Sequence, residues 1–304
     1  MNTNSVKTNQ KSIKLQLVII FLLSVILLSI KPSIAAEPAS ENFIKFYIIH
    51  TNDTHGNFQK TWKKGHSDSS AIERLKNNII QKNGNDNILL LDAGDIMANE
   101  KDDSETMLYD LAEMSRLKYD AIALGNHDVK LGLENLKDAS DKFNLPILCS
   151  NLVYKQTKEY VFKPYIVKNI GGVKIGILGF TTPEVLEKMK KEDASEVSYL
   201  TNEEAYSKII DQFKSDCDFR IALTHIGEKD DAALLSKHKK ITVAIGGHSP
   251  DQFKEPKFIG SSCFVNTGKY GINIGQLKIK LDPEFLEVKS IEGSLIKIGD
   301  DSEL

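Results

Sequence analysis

Arginine is nearly missing from this 304-residue chain, which has only Arg74, Arg116 and Arg220. A site that grips phosphate through a cluster of bidentate guanidinium groups is therefore not expected. The formal charge is −3 and no basic arm or stripe is present, so nothing favours a nucleic-acid polymer as partner. Cysteine is equally scarce, with Cys149, Cys217 and Cys263 and no C-x-x-C pair. That argues against a zinc knuckle or a thioredoxin-type site and allows at most one disulfide. The three thiols read as small buried apolar residues. No internal repeat is visible. A composition of 41% hydrophobic and 27% charged residues suits a globular chain of one large domain or two small ones.

The one long apolar run lies at the start. Lys7, Lys11 and Lys14 precede residues 15–30, and Lys31-Pro32-Ser33-Ile34-Ala35-Ala36-Glu37 follows. Basic segment, apolar core and small residues in an A-x-A-like order describe a secretory signal peptide over residues 1–36, cut after Ala35 or Ala36. The competing reading is a retained membrane anchor. The run of about sixteen apolar residues is shorter than the ~20 that a spanning helix takes, which favours cleavage. The expected location is secreted, periplasmic or cell-surface, with membrane contact only if the leader is retained.

Beyond a polar linker, strands are expected at 43–49, 88–91, 120–124, 146–149, 219–223 and 241–245, with a hairpin across 165–180 turning at Gly171-Gly172. Helical spacing marks 70–81, 105–118, 131–143, 201–214 and 230–238, and Thr201 with Glu204 forms a capping box. The charge run 188–193 reads as a solvated helix end. The tail, 258–267, 272–281 and 287–298, reads as antiparallel strands with few helices between. Alternation in the middle and sheet at the end predict an α/β domain over 43–298. It should consist of two packed sheets with helices on the outer faces, not one doubly wound sheet.

The chain is organised around Gly125-Asn126-His127-Asp128, which follows the apolar run 120–124. The glycine is expected to permit a sharp turn there. Four other strand ends carry similar groups. Asp53 and His55 stand in Asn52-Asp53-Thr54-His55-Gly56, Asp95 in Asp92-Ala93-Gly94-Asp95, His225 directly after Thr224, and His248 in Gly246-Gly247-His248-Ser249. Sites in layered α/β folds form beyond the carboxyl ends of strands, so the five clusters are placed to converge on one rim. Each has a plainer reading alone: Asp53 closing a turn, His225 a satisfied core histidine, His248 a turn residue. The coincidence favours function. Carboxylates, imidazoles and an amide suit Mn, Zn, Co or Fe better than Ca or Mg, and the number of donors suggests two divalent ions. Asp95, alone at its strand end, is the expected bridge. His50 reads as a supporting or packing residue, and His66 and His238, in polar, lysine-rich surroundings, read as having no part in a site.

These motifs, in this order and spacing, resemble the calcineurin-like metallophosphatase superfamily, specifically the catalytic domain of secreted 5′-nucleotidases and 2′,3′-cyclic phosphodiesterases. The resemblance implies a four-layer α/β/β/α sandwich of two mixed sheets flanked by helices. It implies one metal on Asp53, His55 and Asp95 and a second on Asp95, Asn126, His225 and His248. His127, in the catalytic group with Asn126 and Asp128, would contact the phosphate and help protonate the leaving oxygen, while a metal-bound hydroxide attacks phosphorus.

The chain departs from the family pattern in three places. Pro250 stands where a histidine or glutamine ligand to the first metal is usual, and Lys130 stands where an aspartate often orients the catalytic histidine. Leu304 follows closely on the expected last strand, so a C-terminal nucleotide-specificity domain is not expected within these residues. The expected function is hydrolysis of a small phosphate ester, nucleotide-like by resemblance. Alternatives are a 2′,3′-cyclic phosphodiesterase and a degenerate, non-catalytic secreted binding module.

Overall fold

A strand that is buried on both faces shows no polar alternation, and the expected strands stood out in the sequence for that reason. The computed structural model describes residues 43–57, 68–84, 87–97 and 104–298. The leader expected over 1–36 and His66 lie outside them. Elements run β1 Ile44–Thr51, α1 Asp68–Asn83, β2 Ile88–Asp92, α2 Ser104–Leu117, β3 Ala121–Ala123, a 3-10 turn Asp128–Leu131, α3 Leu133–Phe143 and β4 Ile147–Leu148. Next come β5 Leu152–Tyr154, β6 Tyr165–Ile170, β7 Val173–Thr181, α4 Val185–Lys188, α5 Lys191–Glu196, β8 Val197–Tyr199 and α6 Asn202–Asp216. The chain continues through β9 Phe219–His225, α7 Glu228–Lys237, β10 Val243–Gly246, β11 Lys257–Ile259, β12 Ser262–Val265, β13 Asn273–Leu281 and β14 Val288–Lys297.

Two six-stranded mixed sheets result, ordered β14-β13-β1-β2-β3-β4 and β11-β12-β10-β9-β7-β6. β1 to β4 run parallel, as do β7, β9, β10 and β12. Period-two alternation sorts each strand between two cores. From β1, Phe46 and Ile48 join Leu89 and Leu91 against Ile177, Ile221, Leu223 and Ile245 of the other sheet. Tyr47 and Ile49 face outward against Ile72, Leu75, Leu111 and Met114 of α1 and α2. On the far side, Leu178, Phe180 and Ala222 pack on Tyr206, Ile209 and Phe213 of α6 and on Leu234 of α7. The layers are therefore helix, sheet, sheet, helix, as expected.

The capping box at Thr201 and Glu204 is present. All three cysteines are free and buried. One expectation needs correction. The tail is not purely antiparallel: β12 pairs parallel with β10, while β11, β13 and β14 are antiparallel. A small antiparallel sheet of β5 and β8 escaped the sequence reading, because three-residue strands carry too little pattern. Among the described residues no helix is long and apolar enough to cross a membrane.

Asp231, in the first turn of α7, is buried behind the rim. Thr224 Oγ1 lies 2.5 Å from Asp231 Oδ1 and 3.2 Å from the Ile245 carbonyl oxygen. A single hydroxyl proton cannot serve both acceptors. A protonated Asp231 satisfies all three groups: it donates to Thr224, which donates to Ile245. In agreement, burial pushes this carboxyl from 3.8 up to about 7, against the pull of Thr224 and His225. A folded-state pKa above the unfolded one gives stability that is full near pH 4 and is lost as pH rises through 7. Asp231→Asn should flatten that decline, with a urea midpoint above the parent's at pH 8 and equal to it at pH 4. Parallel pH curves for the two proteins would refute the neutral assignment.

Candidate metal centre

The carboxyl ends of the parallel strands of both sheets meet along one edge of the sandwich. β1, β2 and β3 deliver Asp53 with His55, Asp95, and Asn126 with His127, and β9 and β10 deliver His225 and His248. Hydrogen bonds tie the sheets together at this edge. Asp53 Oδ2 accepts from His248 N at 2.9 Å, and the His225 ring reaches the Ala93 carbonyl oxygen at 2.8 Å.

The backbone is bent to make this convergence. Asp53, His55, Asp95 and His248 all adopt left-handed φ values, of 48°, 47°, 57° and 74°. Such a conformation costs roughly 1–3 kcal/mol at a non-glycine residue, and it clusters where surrounding structure over-determines it. Gly125 plays a different part from the one expected. Its φ is not left-handed. A Cβ there would sit 2.1 Å from Asp95 N, so glycine is needed for close approach of two loops and not for a turn.

Asp128 also departs from expectation. Its carboxylate is buried and turned away from the pocket into the protein. Oδ2 accepts from Gly125 N (2.8 Å) and Asp95 N (3.1 Å), and Oδ1 from Ile96 N (2.9 Å) and Met97 N (3.2 Å). It positions the two loops and has no oxygen left for substrate. Burial and the nearby Asp95 charge push this carboxyl up to about 6, while the backbone donors pull the other way.

The imidazoles are oriented by backbone carbonyls. His225 Nδ1 lies 2.8 Å from Ala93 O, which turns Nε2 toward Asp95 Oδ2 (3.3 Å) and Asn126 Oδ1 (3.2 Å). His55 Nδ1 lies 3.1 Å from Met97 O, which leaves Nε2 at 3.7 Å from Asp53 Oδ1 and 4.0 Å from Asp95 Oδ2. A carbonyl on one ring nitrogen fixes the tautomer and frees the other nitrogen as a ligand. Asp53, Asp95 and His225 form one group whose ligand atoms lie within 4.8 Å of one another, and His55, Asp95 and His127 form another. Asp95 belongs to both groups.

His248 comes in edge-on, its ring 5.2 Å from that of His225, but its Nε2 faces Glu184 Oε1 at 3.4 Å. His127 has a buried, unpartnered Nδ1 and a backbone N–H bonded to Asp95 Oδ1 at 2.9 Å. His50 is packing: it pairs with Gly275 across β1 and β13, and burial drops its pKa to about 3. His238 stacks on Tyr206 away from the rim.

The charges are unbalanced toward the negative. Burial opposes ionisation of Asp95, but His225 outweighs burial and, with His127, holds the carboxyl well below the usual carboxylate range. Burial would lower His225, and Asp95 instead raises it to about 10. The buried carboxylate thus favours positive charge beside it. Asp53 is fully buried, its Oδ2 is bonded to Asn52 Nδ2 and His248 N, and its Oδ1 has no hydrogen-bond partner. An orphaned buried carboxylate oxygen beside imidazole nitrogens fits a divalent cation.

The sequence reading missed Glu184, Lys269 and Tyr270. Lys269 Nζ lies 3.7 Å from Asp53 Oδ1, and the Tyr270 ring stands 5.5 Å from that of His55. Both follow β12, whose parallel course brings its carboxyl end to the same edge. Had that course been legible, it would have been the signal for both.

Residues 46–252 match the calcineurin-like phosphoesterase family. The chain is 29% identical over 261 residues to a 5′-nucleotidase of Vibrio parahaemolyticus, covering 78% of this chain and 46% of that one. It is 31% identical to snake venom 5′-nucleotidase of Naja atra, over 66% of this chain and 40% of the venom protein. The chain thus spans less than half the length of these relatives. Among solved structures, the calcineurin-like phosphoesterase YfkN of Bacillus subtilis superposes with a TM-score of 0.71 at 23% identity, over 85% of this chain and 92% of that one. A 5′-nucleotidase precursor of Thermus thermophilus superposes with a TM-score of 0.68 at 22% identity, over 84% and 55% of the respective chains.

Asp128→Asn should test the positioning role. The amide replaces one acceptor oxygen with a donor that faces backbone N–H groups, and roughly 3 kcal/mol of stability should be lost. Urea unfolding measures it. An unchanged midpoint would show that the four contacts carry no weight.

Proposed function

The chain belongs to the calcineurin-like phosphoesterase family, and from that premise we propose that it is a metal-dependent phosphoric ester hydrolase acting on small, nucleotide-like phosphate esters. The observation that carries the reading is the convergence of Asp53, His55, Asp95, Asn126, His225 and His248 on one edge, with Asp53 Oδ1 buried and unpartnered. Asp53, His55 and Asp95 would hold one divalent ion, and Asp95, Asn126, His225 and His248 the other. The mixed nitrogen and oxygen donors suit Mn, Zn, Co or Fe. Bound there, such ions lower the pKa of water and polarise the ester oxygens.

The chain's own groups do the rest. Ala93 and Met97 carbonyls keep the Nε2 atoms of His225 and His55 turned inward. His127 contacts the phosphate and delivers a proton to the leaving oxygen. Burial first, and the positive charges of Lys130 and Lys188 after it, hold this imidazole below its ordinary pKa, while Asp95 works the other way. An entering phosphate dianion would add negative charge beside it and raise that pKa again. The nucleotidase names of the relatives support a nucleotide-like substrate. The leader pattern over 1–36 supports action outside the cytoplasm.

The test is hydrolysis of AMP, UDP-glucose, 2′,3′-cyclic AMP, bis-p-nitrophenyl phosphate and p-nitrophenyl phosphate with added Mn, Co or Zn, against Asp95→Ala. Turnover should need metal, should favour AMP, and should fall at least ~100-fold in the variant. Preference for the cyclic nucleotide would move the substrate class within the same chemistry. No turnover with any metal would sink the hydrolase and favour a binding module.

A further inference from the structure

The two halves of the metal centre are unequal. His225 Nε2 lies 3.2 Å from Asn126 Oδ1 and 3.3 Å from Asp95 Oδ2, with the His248 ring adjoining and its Nε2 turned to Glu184. The half around Asp53 and His55 is looser, with His55 Nε2 3.7 Å from Asp53 Oδ1 and 4.0 Å from Asp95 Oδ2. Pro250 has no side-chain donor, and Gln252 Oε1 is taken by Asn273 Nδ2 at 3.0 Å.

A cation is already built into the looser half. Lys269 Nζ stands 3.7 Å from Asp53 Oδ1, the oxygen that has no hydrogen-bond partner. The backbone fixes Lys269 from both sides. Asn52 accepts from Thr267 N (2.9 Å) and Thr267 Oγ1 (2.7 Å) and donates to Gly268 O (2.8 Å), while Tyr270 N donates to Asp53 O (2.7 Å). Tyr270 takes a left-handed φ of 69° in that arrangement. The segment carrying the lysine is thus held against the very pair of residues, Asn52 and Asp53, that shapes this half of the site.

We propose that the ammonium of Lys269 competes with the divalent ion at the Asp53–His55 half. The chain then holds one ion tightly at Asp95, Asn126, His225 and His248, and a second, exchangeable one that enters only as Lys269 swings outward. The inference rests on the phosphoesterase reading and concerns how that site is loaded. Its physical basis is charge: an ammonium near the carboxylate neutralises the group an ion needs and repels the ion at short range in a partly buried pocket. The lysine side chain is 29% exposed, so it has a path to solvent.

The experiment is calorimetric titration of the metal-stripped full-length chain with Mn, with metal content measured after desalting. The parent should retain one equivalent and bind a second more weakly. Lys269→Met removes the charge and keeps the length. It should tighten the second equivalent at least ~10-fold and leave the first unchanged. Lys269→Arg keeps the charge and should behave as the parent. Pro250→Gln, which adds a donor to the loop, should also tighten the second equivalent. Two equally tight ions in the parent, or a second equivalent that Lys269→Met leaves as weak as before, would overturn the proposal while the phosphoesterase reading stands. A parent that binds no ion would overturn both.

Discussion

One buried carboxylate holds the working edge of this protein together. Asp128 receives four backbone N–H groups from the loops after β2 and β3, and in doing so it sets Asp95 beside Asn126 and His127. Charge-assisted bonds of this kind are among the stronger ones in a protein interior, and unmaking them strands both the carboxylate and its donors. Gly125 must be glycine for the same reason, since the two loops touch where its side chain would be. The second sheet then docks onto this assembled half through Asp53 with His248 N, and through the His225 ring with the Ala93 carbonyl. Chemistry at the edge therefore depends on a residue that never faces it.

How far the molecule was legible in its sequence follows from what each residue does. β1, β2, β7 and β9 were plain because burial on both faces leaves a continuous apolar run. The positions of Asp53, His55, Asp95, Asn126, His225 and His248 could be read because each closes such a run, and parallel strands in layered sheets share a rim. The role of Asp128 was not legible. A carboxylate beside a histidine looks catalytic in one dimension, and only the fold shows that its oxygens point at backbone from a loop more than thirty residues away in sequence. Lys269 and Tyr270 were hidden by strand direction. β12 is short, and parallel pairing with β10 leaves no mark in its four residues.

The same edge gathers four of the nine left-handed non-glycine residues found among the described residues, and Tyr270 beside it is a fifth. Asp53, His55, Asp95 and His248 are left-handed, a conformation that aspartate and histidine tolerate better than branched residues do. Their side chains add buried polar atoms, of which Asp53 Oδ1 has no hydrogen-bond partner. Backbone strain and desolvated charge both oppose folding, and the three hydrophobic cores must outweigh them. Phe46, Phe180 and Phe213 are all fully buried in those cores.

Such an edge is best understood as one half of an interaction. Two nitrogen groups already face its buried carboxylates: the His225 ring, 3.3 Å from Asp95 Oδ2, and the ammonium of Lys269, 3.7 Å from Asp53 Oδ1. These two groups are not alike. An imidazole can itself serve as a ligand, so it would accept a cation without moving the chain. The ammonium is tethered and cannot be a ligand while charged, so it must be carried outward on its own side chain. A difference between the halves in how readily they would accept a cation therefore follows from the kind of nitrogen each one presents.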